Sequence, residues 1–208
     1  MKLHKLRVKR TAAIYSMGAE DAESFWLITH GYAMCADQAL KKFRSLDNGN
    51  NYMVAPEALS RFYIDFKGQR TAVASWMTSR ERLDEIDDYA HYLSEVLRTY
   101  RRGKKTILFG FSQGGTTMWR FINQIKPDFD VFINWAGDIP EDTNYDMPYL
   151  QGKRLIYVFG KNDQYVDNNR IKAFEDFAGE LKMDIRFMSY DGDHRIYEDV
   201  LNSITRII

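Results

Sequence analysis

The hexapeptide Gly110-Phe111-Ser112-Gln113-Gly114-Gly115 carries the most specific chemical signal in the chain. A serine hydroxyl is a poor nucleophile unless a neighbouring imidazole takes its proton, and the imidazole works best when a carboxylate fixes its tautomer and stabilises its cation. Small residues on both sides let the backbone turn sharply, so Ser112 Oγ can stand clear of a strand end while the next N–H, that of Gln113, points at the same place. Downstream, Asp163 in Gly160-Lys161-Asn162-Asp163 and His194 in Tyr190-Asp191-Gly192-Asp193-His194 supply an acid and a base. Taken alone, Gly-x-Ser-x-Gly also describes an ordinary glycine-rich turn with a helix-capping serine, so the surrounding elements must decide.

Those elements are read from apolar periodicity. Phe25–Thr29, Tyr52–Val54, Thr106–Phe109, Val131–Trp135, Leu155–Phe159 and Ile185–Met188 are short apolar runs of the kind that form strands buried on both faces. Helical stripes lie between them: Ala36 to Leu46, Leu83-Ile86-Ala90-Leu93-Leu97-Tyr100, Met118-Phe121-Ile122-Ile125, Ile171-Phe174-Ala178-Leu181 and Tyr197-Val200-Leu201-Ile204. Thr78 and Glu81 have capping-box spacing before the second stripe, and Gly103 stands where its terminator is expected. Leu3–Tyr15 reads as a strand or hairpin with a wet, basic face, and Glu57–Met77 as a small hairpin on a long connection. Alternating strands and helices predict one α/β domain over residues 1–208, with a mostly parallel sheet covered on both faces. Ligands of such sheets sit beyond the strand carboxyl ends, where His30-Gly31-Tyr32, Ser112, Asp163 and His194 should converge.

With these motifs in place, the sequence resembles the α/β-hydrolase superfamily, and within it the phospholipase/carboxylesterase family of small carboxylesterases and acyl-protein thioesterases. Gly110 to Gly115 is similar to that family's nucleophile elbow, and His30-Gly31 to its oxyanion loop; Asp163 and His194 follow the appropriate strands. The family's second glycine after His-Gly is replaced here by Tyr32-Ala33-Met34-Cys35. The resemblance implies an α/β-hydrolase fold with little or no lid. It also implies a serine carboxylesterase in which Ser112 attacks, His194 shuttles the proton, Asp163 orients His194, and the N–H groups of Tyr32 and Gln113 hold the oxyanion. A thioesterase or lysophospholipase would use the same triad, and a noncatalytic binding protein would keep the fold alone. No metal or organic cofactor is required.

Alternatives exist for several positions. Asp167 ranks second to Asp163 as the acid, and Asp138, Asp191 and Asp193 also lie in late loops. His30 is read as a brace for its loop, and Cys35, the only cysteine, as a packed side chain, since it lacks the elbow spacing. Tyr63, Phe66, Trp76 and Trp119 are candidates for an acyl pocket of short-to-medium reach. Lysine plus arginine and aspartate plus glutamate balance at 29 each, which gives no global field toward nucleic acid or an anionic membrane and favours a small-molecule ester as partner. A single cysteine, no paired metal-ligand spacing and no apolar run of membrane-spanning length fit a cytoplasmic protein without stable membrane insertion. Monomer and homodimer are equally compatible with the sequence.

Overall fold

In the computed structural model, residues 1–102 and 105–208 are described; the expected terminator Gly103 lies outside them. Seven strands form one sheet: β1 (Ile14–Gly18), β2 (Ser24–Thr29), β3 (Asn51–Pro56), β6 (Lys105–Phe111), β7 (Val131–Trp135), β8 (Arg154–Gly160) and β9 (Ile185–Tyr190). Between β3 and β6 the chain adds a separate hairpin of β4 (Ser60–Phe66) and β5 (Gln69–Ser75). The helices are α1 (Ala36–Leu40), α2 (Arg82–Tyr100), α3 (Gln113–Ile125), α4 (Met147–Leu150), α5 (Asn168–Glu180) and α6 (Glu198–Thr205). The sheet order is β1-β3-β2-β6-β7-β8-β9, and among the described residues only β1 of this sheet runs antiparallel to its neighbour. The sequence is built for this: β7 is buried at every residue and β6 at all but its first. Because consecutive strand residues face opposite ways, such runs require cover on both faces of the sheet.

The core follows the apolar runs. Phe25, Leu27, Ile28, Leu108, Phe109, Phe132 and Ile133 are fully buried at its centre, in the middle strands. α2 and α3 pack on one another, while α6 lies against the 3₁₀ turn Lys41–Leu46 that extends α1, where Ser45 Oγ donates to Asn202 Oδ1 at 2.9 Å.

Several local readings change. Residues 1–13 carry no regular structure, and the first strand begins at Ile14. The basic run there meets the acidic face of α2: Lys5 pairs with Glu81 at 3.0 Å and with Asp84, and Arg7 with Asp87 at 2.6 Å. Two cations of the basic face expected in solvent, Lys5 and Arg7, are thus paired with carboxylates. Helix α2 starts at Arg82, and Thr78 meets Glu85 rather than Glu81, its N–H donating to Glu85 Oε2 at 2.6 Å. Leu83 lies outside the buried stripe, 73% exposed, because the helix face that packs is set by Tyr89, Ala90, Leu93, Val96 and Leu97.

Candidate active site

The carboxyl ends of β2, β6, β8 and β9 bring the four predicted groups together. Ser112 follows β6, the fourth of the seven strands, at φ 53° and ψ −122°, a conformation rarely adopted by a residue with a Cβ. Its amide donates to Trp135 O at 2.8 Å, and its carbonyl accepts from Gly115 N at 2.9 Å, so both sides of the turn are tied down. The glycines are required by close approach. A Cβ on Gly114 would stand 2.3 Å from Thr29 O, and one on Gly115 would stand 2.1 Å from Asn134 Oδ1. The N-terminus of α3 can therefore press against β2 and β7.

His194 Nε2 lies 2.9 Å from Ser112 Oγ, and His194 Nδ1 lies 2.6 Å from Asp163 Oδ2. Asp163 has a side chain sealed from solvent. Its other oxygen, Oδ1, accepts from Tyr165 N at 2.8 Å and Val166 N at 3.2 Å, leaving Oδ2 for the imidazole. The rival acids are engaged elsewhere. Asp167 caps α5 by accepting from Arg170 N at 2.8 Å, Asp138 holds the Arg170 guanidinium at 2.5 and 2.9 Å, Asp191 pairs with Lys161, and Asp193 accepts from Tyr197 Oη.

The His30-Gly31-Tyr32 loop closes over the serine: a Cβ on Gly31 would be 3.4 Å from Ser112 Cβ. His30 is fully buried and braces the loop. Its Nε2 accepts from Ala58 N at 3.1 Å, so Nδ1 carries the proton and donates to Gly31 O at 2.8 Å. Burial holds this imidazole below its ordinary value, against the opposing effects of the Gly31 carbonyl and the Glu57 carboxylate. The Gln113 side chain ties the loop after β5 to the elbow, since Oε1 accepts from Trp76 N at 3.0 Å and Nε2 donates to Met77 O at 2.8 Å. Among the described residues neither the Tyr32 nor the Gln113 amide donates a hydrogen bond; Gln113 follows Ser112 in sequence, and Tyr32 follows Gly31, whose added Cβ would approach Ser112. Cys35 is half-buried; its Sγ donates to Ala72 O at 3.2 Å, and burial pushes this thiol up.

The aromatic pocket assignments are corrected. Trp119 is buried in the core, edge-on to Phe132 and Tyr145, and Trp76 is buried with Nε1 donating to His30 O at 2.9 Å. Tyr63 and Phe66 are exposed on β4, under the Arg70 guanidinium and Lys67 ammonium respectively. None of the four lines the cleft of about 470 Å³ that opens at Ser112. That cleft is walled by Met77, Thr116, Thr117, Arg120, Tyr165 and Arg170 together with the triad side.

Other contributors carried no signal in the sequence. Phe111 and Tyr165 flank the His194 ring at 5.0 and 4.8 Å between centroids. Trp135 Nε1 donates to Arg195 O at 3.0 Å and Tyr190 Oη to the same carbonyl at 2.8 Å, pinning the loop that bears His194. Among the described residues no three His, Cys, Asp or Glu side chains converge as a metal site.

A mostly parallel seven-stranded sheet with a glycine-flanked serine turn at the end of its central strand defines an α/β-hydrolase. More closely, the chain belongs to the FSH1 serine hydrolase family, whose model matches residues 28–198. It is a serine hydrolase. Among solved structures it is similar to esterase PE8, at 20% identity over 95% of this chain and 98% of that one, with a TM-score of 0.69. It is also similar to Zea mays acyl-protein thioesterase 2, at 14% identity over 95% and 97% of the two chains with a TM-score of 0.74. For the Bacillus cereus carboxylesterase the figures are 11%, 95%, 95% and 0.68. At these identities the likeness is one of fold, and it agrees with the α/β-hydrolase resemblance read from the motifs. No curated protein sequence matches the chain.

Proposed function

We propose that the whole chain, 1–208, acts as one hydrolase domain that cleaves carboxylic esters of short-to-medium acyl chain through Ser112, His194 and Asp163. The observation that carries this reading is the unbroken chain of contacts from Asp163 Oδ2 to His194 Nδ1 at 2.6 Å and from His194 Nε2 to Ser112 Oγ at 2.9 Å. Ser112 Oγ attacks the ester carbonyl as its proton passes to His194 Nε2, and Asp163 stabilises the resulting imidazolium. The amides of Tyr32 and Gln113 receive the oxyanion; a donor of this kind contributes about 2.7 to 4 kcal/mol in other acyl-transfer enzymes. Collapse of the tetrahedral intermediate breaks the bond to the leaving oxygen, which takes the proton from His194. Water, deprotonated by the same ring, then attacks the acyl-enzyme and restores Ser112. Neither a metal nor an organic cofactor enters these steps, and the site suits a small-molecule ester.

The same geometry serves thioesters, and the likeness to an acyl-protein thioesterase makes that the second reading. A panel of matched oxygen esters and thioesters from acetyl to decanoyl separates the two. The expected result is higher kcat/KM for the oxygen esters, with an optimum at or below the middle of the series, and loss of turnover in Ser112→Ala. A thioester preference across the panel would move the assignment to thioesterase. A well-folded wild type inert toward every member would contradict both.

A further inference from the structure

The cleft that opens at Ser112 runs along α3, and its far wall is charged. Gln113, Thr116, Thr117 and Arg120 share one helical face and all line it. Arg120 has a side chain only 9% exposed, and the partners of its two terminal nitrogens are unequal. Nη2 donates to Asp142 Oδ1 at 3.0 Å, whereas the partner of Nη1 among the described residues is Met77 Sδ at 3.1 Å, a weak acceptor. Asp142 is itself shared, because its Oδ2 lies 2.6 Å from Arg82 Nη1. Two guanidiniums therefore divide one carboxylate. The neighbouring Arg170–Asp138 pair is balanced and bidentate, so it does not offset the surplus. A nearly buried guanidinium with part of its fork against a thioether is a poor arrangement without a ligand, and its planar donors match a carboxylate.

We infer that the cleft is built for esters carrying a carboxylate a few bonds from the scissile carbonyl, with Arg120 as the residue that binds it. The inference rests on Ser112 being the nucleophile. Arg120 stands eight residues beyond Ser112, roughly 12 Å of helix rise, and helical side chains lean back toward the N-terminus, which shortens the gap. Met77 Sδ is the group displaced, exchanging a thioether for a charge-assisted hydrogen bond.

The test compares kcat/KM for anionic and neutral esters of matched shape. One arm places the carboxylate on the acyl side, with p-nitrophenyl hydrogen glutarate against its methyl ester. The other places it on the alcohol side, with the butyrate ester of 4-hydroxybenzoate against that of methyl 4-hydroxybenzoate. In one arm the wild-type ratio of anionic to neutral substrate should exceed about tenfold, expressed mainly in KM, since a hydrogen bond to a charged group is strong enough to give that factor. Arg120→Gln should bring the ratio to about one, and Arg120→Lys, which keeps the charge without the fork, to an intermediate value. Using ratios removes any general loss of active enzyme in the variants. Wild-type ratios of one or less in both arms would overturn the inference without any variant, as would a preference that survives in Arg120→Gln or is undiminished in Arg120→Lys. Turnover of neutral esters without anion preference would leave Ser112 as nucleophile and remove only the carboxylate site; absence of all ester turnover and of fluorophosphonate labelling would remove both.

Discussion

Ser112, the proposed nucleophile, stands in a costly backbone conformation. Its φ of 53° and ψ of −122° belong to conformations that typically cost about 1 to 3 kcal/mol for a residue with a Cβ. Ser112→Gly should therefore abolish turnover yet raise stability by about 1 kcal/mol, the strain relief exceeding the added entropy of an unfolded glycine. Urea denaturation of the two proteins checks this, and a lower midpoint for the glycine variant would contradict it. The acid assignment is tested in the same way at a second residue. Asp163→Asn should fold and lose turnover by a factor on the order of 10⁴, as in other triads. Asp167→Asn should leave turnover nearly intact, because that side chain caps α5 and asparagine caps equally well; steady-state kinetics on the pair decides. That Ser112, Asp163 and His194 meet could be read from the sequence because each follows an apolar strand. Phe111, Tyr165 and Arg120 could not be read this way, since an aromatic or arginine in an element shows no partner until the elements pack.

Among the elements, the junction of β2, β6 and α3 sets the geometry of the site. Gly114 lets the first turn of α3 lie against Thr29, and Thr29 Oγ1 donates back to Gly114 O at 2.9 Å. Gly114→Ala would drive a methyl group to 2.3 Å from Thr29 O, and it should cost about 3 kcal/mol or more of stability and displace the elbow from His194. Denaturant midpoints read the first effect and kcat the second; a fully active, equally stable alanine variant would show that α3 can retreat freely. Strands and helices of the sheet could be read because buried runs and amphipathic stripes differ in period. The ends were harder. Alternation alone makes the N-terminal run read as a strand, but Lys5 and Arg7 pair with carboxylates at the start of α2, a partner 79 residues away for Lys5 and Asp84. Aromatic character alone makes Trp119 and Trp76 pocket candidates, but it does not distinguish a lining residue from a core one.

At the scale of the whole molecule, the buried His30 couples folding to pH. Burial lowers its folded-state value from the ordinary 6.5. Between the two values the unfolded chain binds a proton that the folded chain refuses, so stability falls as pH drops below about 6.5, at up to about 1.4 kcal/mol per pH unit. His30→Gln can accept from Ala58 N and donate to Gly31 O without titrating. Its stability should fall less steeply from pH 6.5 to 5.5 than that of the wild type. Parallel slopes in urea titrations at those pH values would exclude His30 as the source.

The central claim is that this sheet edge makes Ser112 a nucleophile. Intact-protein and peptide mass spectrometry after reaction with a fluorophosphonate tests it most directly, because only an activated serine is phosphonylated at low reagent concentration. One adduct on the peptide containing Ser112 is predicted in the wild type, with none in Ser112→Ala. A folded wild type that stays unlabelled, or an adduct that persists in Ser112→Ala, would contradict the account.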